Sequence, residues 1–318
     1  MTMSENKTAK WIVVVVVGAL ALAGIALGIR RIERDRVRKA LTQITFQTPD
    51  EAGRALDQAA KTSDSAALAR VVGVETRNLL MTGDTDADKA AMDGFDAKYQ
   101  QMNRWVDMSD GSRVLYIGAD NFAFPVPLAK NTSGNWYFDG IAGAQELRAR
   151  NIGRNELLTI DACVALGNAE QIYFQNYSNS GEYAQRIIST SGKQDGLYWP
   201  VSEKEGSSPL GHLSKFVKSS LGSVPTNEPL VIDGYTLRIL TAQGGDAPGG
   251  ARSYIVNGKM TDGFAVLATP VKYGETGIMT FLMGPAGFVY ERDLGPDTVK
   301  TAAAIQEYNP DDNWSLVE

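Results

Sequence analysis

The side chains best suited to catalysis and metal binding are scarce in this sequence. Its 318 residues include one cysteine, Cys163, and one histidine, His212, which excludes an intramolecular disulfide and a histidine-rich metal site. Cys163 lies in the apolar run LLTIDACVAL, which is typical of a core residue rather than a nucleophile. His212 has no cysteine or serine motif beside it, and we expect a surface or hydrogen-bonded histidine. The sequence therefore predicts no catalytic residue, no cofactor and no metal.

The loop over residues 191–200 is the strongest candidate for a binding surface. Lys193, Asp195, Tyr198 and Trp199 lie there beside glycines, and aromatic rings next to charges are typical of sugar and peptide contacts. The alternative is that the aromatic pair packs the loop onto its domain. We predict a contact with an envelope protein or a glycan, and the packing alternative stays open.

One acidic segment resembles the opening of a calcium loop. Asp84, Asp86 and Asp88 alternate along the chain, but Lys89 replaces the turn glycine and Phe95 the bidentate glutamate. The segment is therefore predicted to be a capped, acidic helix N-terminus.

Two other polar groups each have a chemical and a structural interpretation. The first could hold an anion at a helix start, or could provide ordinary capping and an interdomain salt bridge; its members are Asn151, Arg154, Asn155 and Glu156. The second could form a carboxylate–guanidinium cluster or ordinary surface ion pairs; its members are Asp233, Arg292, Asp293 and Asp297.

Charge is distributed unevenly along the chain. Residues 1–39 contain eight Lys/Arg and three acidic residues, which leaves 23 basic and 34 acidic residues, a formal charge of −11, in residues 40–318. An acidic body repels phosphate backbones, and its aromatic residues are not interleaved with basic stripes. We therefore expect no nucleic-acid partner.

Residues 11–29, WIVVVVVGALALAGIALGI, contain no charge and are long enough to cross a bilayer as one helix. A cleaved signal peptide is the alternative, because Ala21-Leu22-Ala23 resembles a cleavage site. The apolar run continues beyond that site, which favours an uncleaved single-pass anchor in the inner membrane. The Arg-rich flank after the span favours a cytoplasmic body under the positive-inside rule.

Two small α+β domains with antiparallel sheets are predicted after the N-terminal tail, transmembrane helix and flank of residues 1–44. In the first, residues 45–150, Thr48 caps a helix through Lys61, a second helix over AALARVV ends at Gly73, and a third carries an apolar stripe from Met92 to Met102. Strands follow in RVLYIG, FAFPVPLAK and NWYFDG. This order resembles the cone-shaped nuclear-transport-factor-like domains, which often hold a pocket between helix and sheet.

The second domain, residues 151–318, is predicted to begin with a long helix from Ile152 to about Tyr177. Shorter helices are expected in EYAQRII and LGHLSKFVKSS, and strands in GYTLRILTAQ, DGFAVLATPV and the hairpin IMTFLMGPAGFVYERDL. A long helix leading into such strands resembles the globular heads of type IV pilins and pseudopilins. In this chain, however, a whole domain separates the helix from the membrane segment.

Many long segments look like one bacterial family, domain of unknown function 2950. They include NWYFDGIAGAQELRARNIGRNEL, EYAQRIISTSGKQDGLYWP, GYTLRILTAQGGDAPGGA and YIVNGKMTDGFAVLATPVKYGETGIMTF, and the likeness covers about residues 45–315. The resemblance implies an envelope-associated protein with its body outside the cytoplasm, and it implies no catalytic residue.

These observations favour a non-enzymatic scaffold or binding protein held in the membrane through residues 11–29. The alternative is a ligand-binding or hydrolytic protein with a cavity in the first soluble domain, where Asp120 or Asp139 would serve as an acid. A cavity with convergent carboxylates would favour the alternative.

Overall fold

The computed structural model describes residues 43–178, 181–199, 208–211 and 230–317. The chain divides into two compact units, Met1–Leu147 and Arg148–Glu318. Both units are α+β with antiparallel sheets, as predicted. The predicted span at residues 11–29 lies outside the described ranges. Within those ranges, no helix combines the length and hydrophobicity that a bilayer crossing requires.

Four helices precede the sheet in the described part of the first unit, and polar side chains determine where three of them begin. The helices are α1 (Pro49–Lys61), α2 (Ser65–Val72), α3 (Val74–Leu80) and α4 (Thr85–Gln101). Thr48 caps α1 by accepting a hydrogen bond from the Glu51 N–H, while Asp64 and Asp84 cap α2 and α4 in the same way. The predicted acidic helix start at Asp84 is confirmed. The short helix α3 was not predicted.

A five-stranded antiparallel sheet completes the first unit. Its strands are β1 (Asn103–Asp107), β2 (Arg113–Ile117), β3 (Phe122–Ala123), β4 (Leu128–Lys130) and β5 (Trp136–Phe138). The order is β1-β2-β4-β5, with β3 paired to β2. Leu115, Leu128 and Phe138 of the sheet pack with Leu56 and Val72 of the helices into one buried core. Burying these apolar side chains is the main stabilising contribution to this unit. The likeness to nuclear-transport-factor-like cones stays a prediction.

The long helix α5 (Gly140–Asn176) begins well before the predicted start at Ile152. Asp139 caps it, because its Oδ1 accepts hydrogen bonds from the N–H groups of Ile141 at 2.9 Å and Ala142 at 3.2 Å. Gly143 is required in this turn, since a Cβ there would lie 2.9 Å from a methyl group of Val126. The helix therefore includes residues of both units.

The second unit contains a six-stranded antiparallel sheet in the order β15-β14-β13-β12-β7-β6. These strands are β6 (Leu230–Ile232), β7 (Tyr235–Leu240), β12 (Ala265–Pro270), β13 (Met279–Met283), β14 (Val289–Asp293) and β15 (Ser315–Leu316). Two small ribbons pair β8 (Ala242–Gln243) with β9 (Arg252–Ser253) and β10 (Ile255–Val256) with β11 (Lys259–Met260). The predicted hairpin is confirmed as β13–β14, and its turn closes by a hydrogen bond from the Gly287 N–H to the Gly284 carbonyl.

The six-stranded sheet is covered on both faces within the second unit. On one face, Cys163 and Leu166 of α5 pack into the same core as Phe281. On the other, Arg238 donates to carbonyl groups at the end of α6 (Thr298–Ala303). The central strands β12 and β13 are therefore mostly buried, which explains why they are predominantly apolar.

The predicted helix in EYAQRII is wrong. The Tyr183 N–H donates to the Met260 carbonyl at 2.7 Å, and the Ile187 carbonyl accepts from the Tyr198 N–H at 2.8 Å. These bonds join residues far apart in the chain and replace the local ones that a helix needs. The helix predicted from Leu210 onward falls mostly in residues 212–220, outside the described ranges, and the pilin-like character of this unit stays a prediction.

Candidate functional site

The predicted contact loop places its tryptophan in the core. Trp199 is only 3% exposed and packs edge-on against Tyr177, with 5.1 Å between the ring centroids. Tyr198 is half-buried against the same core. The packing interpretation therefore applies to Trp199. Removing its large ring from water contributes to the stability of the fold.

The charged residues of this loop occupy different positions. Asp195 is held inside the turn, where its carboxylate accepts from the Thr190 N–H at 2.7 Å and the Thr190 hydroxyl at 2.8 Å. Gly196 permits the turn, since a Cβ there would lie 2.8 Å from the Ser189 nitrogen. Lys193 is exposed at the tip. A partner contact by this loop stays a prediction, and its exposed part is the tip.

An anion site at residues 151–156, one of the possibilities considered for them, is excluded because these residues lie inside α5, where backbone N–H groups are already hydrogen-bonded. Asn155 donates to the Thr276 carbonyl, and Glu156 accepts from the N–H groups of Ile278 and Met279. Both side chains therefore attach the helix to the loop before β13.

Cys163 is fully buried, and burial raises the pKa of its thiol to about 12, as expected of an inert core cysteine.

The remaining predicted acids do not converge. Asp120 forms an exposed ion pair with Lys98 at 2.6 Å, and Asp139 caps α5. Arg292 lies 3.6 Å from Asp311, while Asp293 accepts from the Tyr273 hydroxyl. Among the described residues, no ion pair joins Arg292 to Asp233, Asp293 or Asp297, and the partly exposed Arg292–Asp311 pair agrees with the surface ion pairing considered for this group rather than with a cluster. His212 lies outside the described residues.

An open cavity of about 530 Å³ lies among the helices of the first unit. We call it the helical cavity, and it is lined by Ser63, Ser65, Arg77, Asn78, Met81, Thr82, Gly83, Thr85, Asp88, Lys89 and Met92. These residues come from the start of α2, the second half of α3, the connection after α3 and the first turns of α4. Its volume falls within the range of small-molecule sites in proteins.

Arg77 distinguishes this cavity from an ordinary surface depression. The side chain is half-buried, and its Nε is a buried donor without a hydrogen-bond partner among the described residues. An unsatisfied buried donor costs about 1–3 kcal/mol, and more when the group is charged. A guanidinium cannot avoid that cost by losing its proton. The permanent positive charge of this side chain lies in the cavity wall, where it can attract an anion.

The one carboxylate in the cavity wall is already engaged. Asp88 accepts from the Thr82 N–H at 2.6 Å, the Thr82 hydroxyl at 2.8 Å and the Gly83 N–H at 3.0 Å. The hydrogen bonds from Thr82, together with weaker contributions from Gly83 and the charge of Arg77, lower the pKa of Asp88. Asp88 thus shapes the loop and stays ionised, so it is poorly placed to act as a general acid or base near neutral pH.

Other donors face the cavity as well. Lys89 lines it, although its ammonium group also pairs with Asp93 at 2.6 Å. Ser63, Ser65 and Thr85 add hydroxyl groups to the wall, while Met81 and Met92 add an apolar portion. The arrangement can bind a molecule that combines an anionic group with an apolar part.

No sequence signal pointed to this cavity. Arg77 lies in VETRNLL, a segment that matches no binding motif and whose helix α3 was not predicted. The feature that distinguishes Arg77 is the burial of its Nε without an acceptor among the described residues. That burial depends on how α3 packs against its neighbours.

The chain was compared with protein families, curated proteins and solved structures. No curated protein and no solved structure matches it. A family model matches residues 43–317, which is most of the chain. The chain therefore belongs to the family described as protein of unknown function (DUF2950).

Proposed function

We propose that this protein is a non-enzymatic binding protein of the bacterial cell envelope whose first soluble unit captures a small amphiphilic acid in the helical cavity. The observation that carries the proposal is the half-buried guanidinium of Arg77, a permanent cation in the cavity wall that makes no ion pair among the described residues. This is the cavity-based ligand-binding alternative from the sequence, without its hydrolytic component, since Asp120 and Asp139 are occupied elsewhere.

The cavity selects its ligand by charge and shape. Arg77 presents a planar, permanent cation that matches a carboxylate or a phosphate. Asn78 and the nearby hydroxyl groups can donate further hydrogen bonds, while Met81 and Met92 can contact an alkyl or ring portion. A neutral analogue would leave the guanidinium unsatisfied, so charge should dominate recognition.

Hexanoate, hexyl phosphate and hexanol distinguish charge recognition from simple apolar binding. We expect hexanoate or hexyl phosphate to raise the melting temperature of the purified full chain saturably, and hexanol to have no such effect. Calorimetric titration should give the same order of affinities. The response to the two acids shows whether the anionic group is a carboxylate or a phosphate.

Arg77→Met keeps most of the apolar stem, removes the charge and should abolish the response to acid. Arg70→Gln is the matched control, because Arg70 is an exposed cation of α2 that does not line the cavity. An equal response in Arg77→Met and the wild type would overturn the proposal, as would saturation by hexanol alone.

We further propose that residues 11–29 anchor the protein in the inner membrane with residues 45–318 outside the cytoplasm. The apolar, uncharged run supports the anchor, and the envelope association implied by the family resemblance supports the orientation. The Arg-rich flank supports the opposite orientation, so a reporter fusion can distinguish the two.

Alkaline phosphatase fused after residue 318 should be active, and the fusion protein should stay in the membrane pellet after alkaline extraction. Activity of a cytoplasm-only reporter at the same position would overturn the orientation. Release of the protein into the soluble fraction would overturn the anchor and indicate cleavage.

A further inference from the structure

A second cavity, of about 300 Å³, lies in the second unit beside α6 and β14. We call it the C-terminal groove, and it is lined by Leu282, Arg292, Leu294, Thr301, Ala304, Ile305, Gln306, Glu307, Asn309, Asp311 and Trp314. From the aromatic and planar polar groups of this groove, we propose that it binds a single pyranose unit of a carbohydrate. The inference is independent of the helical cavity, which belongs to the other unit.

One side of the groove is apolar and includes an aromatic ring. Trp314 is half-buried, so part of its ring packs on the core while the residue still lines the groove. Leu294 and Ile305 are also half-buried. A pyranose has an apolar C–H face that can stack on such a surface.

The other side presents planar polar groups with unused hydrogen-bonding capacity. The Arg292 guanidinium lies 3.6 Å from the Asp311 carboxylate, and within the described ranges this side chain makes no hydrogen bond to another residue. Gln306 uses its amide nitrogen on the Ala303 carbonyl, which leaves its amide oxygen as an acceptor. Paired donors and acceptors of this kind match adjacent sugar hydroxyl groups, each of which can donate and accept.

Neighbouring contacts hold this polar side in place. Asn309 exchanges two hydrogen bonds with Asp246, one from the Asp246 N–H and one to its carboxylate, both at 2.8 Å. Asp311 accepts from the Asn313 N–H at 2.9 Å, which orients the carboxylate beside Arg292. Such preorganisation reduces the entropy cost of binding.

The balance of charge favours a neutral ligand. Arg292 is offset by Asp311, and Glu307 adds a further negative charge. An anion would therefore meet repulsion here, in contrast to the helical cavity. The volume lies at the lower end of the range for small-molecule sites, which suits one sugar ring rather than a chain enclosed along its length.

Methyl β-glucopyranoside, N-acetylglucosamine and its β-1,4-linked tetramer are suitable probes for the full chain. We expect saturation-transfer NMR to show contact with the ring protons of at least one sugar, and tryptophan fluorescence to change saturably. Preference for the tetramer would indicate a polymeric glycan, and equal affinity would indicate a free sugar. Absence of saturable binding by all three would overturn the proposal.

Arg292→Gln and Trp314→Phe test whether binding occurs in this groove. Each should weaken sugar affinity at least tenfold, while Lys300→Gln, an exposed charge change on α6, should leave it unchanged. Trp314→Phe keeps an aromatic side chain against the core, and circular dichroism would verify its fold. Unchanged affinity in both variants would overturn the assignment, as would saturable binding of N-acetyltryptophanamide in the absence of sugar binding.

Discussion

Arg77 in the first unit and Glu170 in the second each contain a buried side-chain atom without a hydrogen-bond partner among the described residues. Glu170 is fully buried in α5, and its Oε2 accepts from the Ala184 N–H at 2.8 Å while Oε1 is unsatisfied. Burial raises the pKa of Glu170 well above its ordinary value, so the carboxyl group can become neutral. A guanidinium cannot lose its charge in this way.

The two residues also differ in their surroundings. Arg77 lines the helical cavity, whereas Glu170 lines neither that cavity nor the C-terminal groove. A side chain whose charge cannot be removed therefore points to a ligand when it also lines an open cavity. Where the charge can be removed, the same observation points to a pH-dependent contribution to stability.

Trp199→Ala tests the closed core of the second unit and has the largest expected effect. Removing a buried indole that contacts Tyr177 should lower the free energy of unfolding by about 3–5 kcal/mol, because a cavity replaces the ring. Urea denaturation would measure the change, with Trp199→Phe as a milder control. A loss below about 1 kcal/mol would contradict the burial of this ring and restore Trp199 as a surface contact.

Glu170→Gln should remove a pH dependence of stability. Burial raises the pKa of Glu170 in the folded state above 4.5, its ordinary value in an unfolded chain. The stability that the protonated carboxyl group contributes is therefore fully present below the unfolded-state pKa, and it is lost as the pH rises through the folded-state pKa. Between the two pKa values, the loss is about 1.4 kcal/mol per pH unit. The variant should therefore become progressively more stable than the wild type toward neutral pH.

Urea denaturation across this pH range would measure the difference between the two proteins. Asp161→Asn is the control, because Asp161 is an exposed carboxylate on the same helix. Parallel pH profiles for Glu170→Gln and the wild type would show that the carboxyl group has a compensating partner.

Arg77→Met should make the ligand-free protein more stable by about 1 kcal/mol, since it removes a buried donor without an acceptor. Thermal denaturation in buffer free of carboxylates and phosphates would measure this. A destabilisation of about 2 kcal/mol or more would mean that Arg77 has an internal partner, and the contrast with Glu170 would then fail.

Lys193→Ala should have the smallest effect, within about 0.5 kcal/mol, because the side chain is exposed at the loop tip. The variant therefore allows the predicted partner contact to be tested without disturbing the fold. A larger change in melting temperature would show that the tip packs on the domain as Trp199 does.

The elements predicted correctly depend on neighbours in the sequence. Thr48 and Asp84 cap helices because their side chains reach N–H groups two or three residues ahead. Gly287 allows the β13–β14 turn for an equally local reason, because its backbone φ is +82°. The missed elements depend on distant residues: the EYAQRII segment pairs with Met260 and Tyr198, and the first turn of α5 accommodates Gly143 against Val126.

The sequence by itself determined the family, the α+β class, the local caps and turns, and the burial expected of Cys163, because each depends on residue types and short spacings. Only the tertiary structure decided the surroundings of the Trp199 and Arg77 side chains. Both belong to polar, motif-free stretches, and what distinguishes them is how many neighbours the fold places around each side chain. Tyr177 covers the indole, whereas the space between α3 and α4 leaves a half-buried cation beside an open cavity. Burial arises from contacts between distant segments, and no spacing within either segment encodes it.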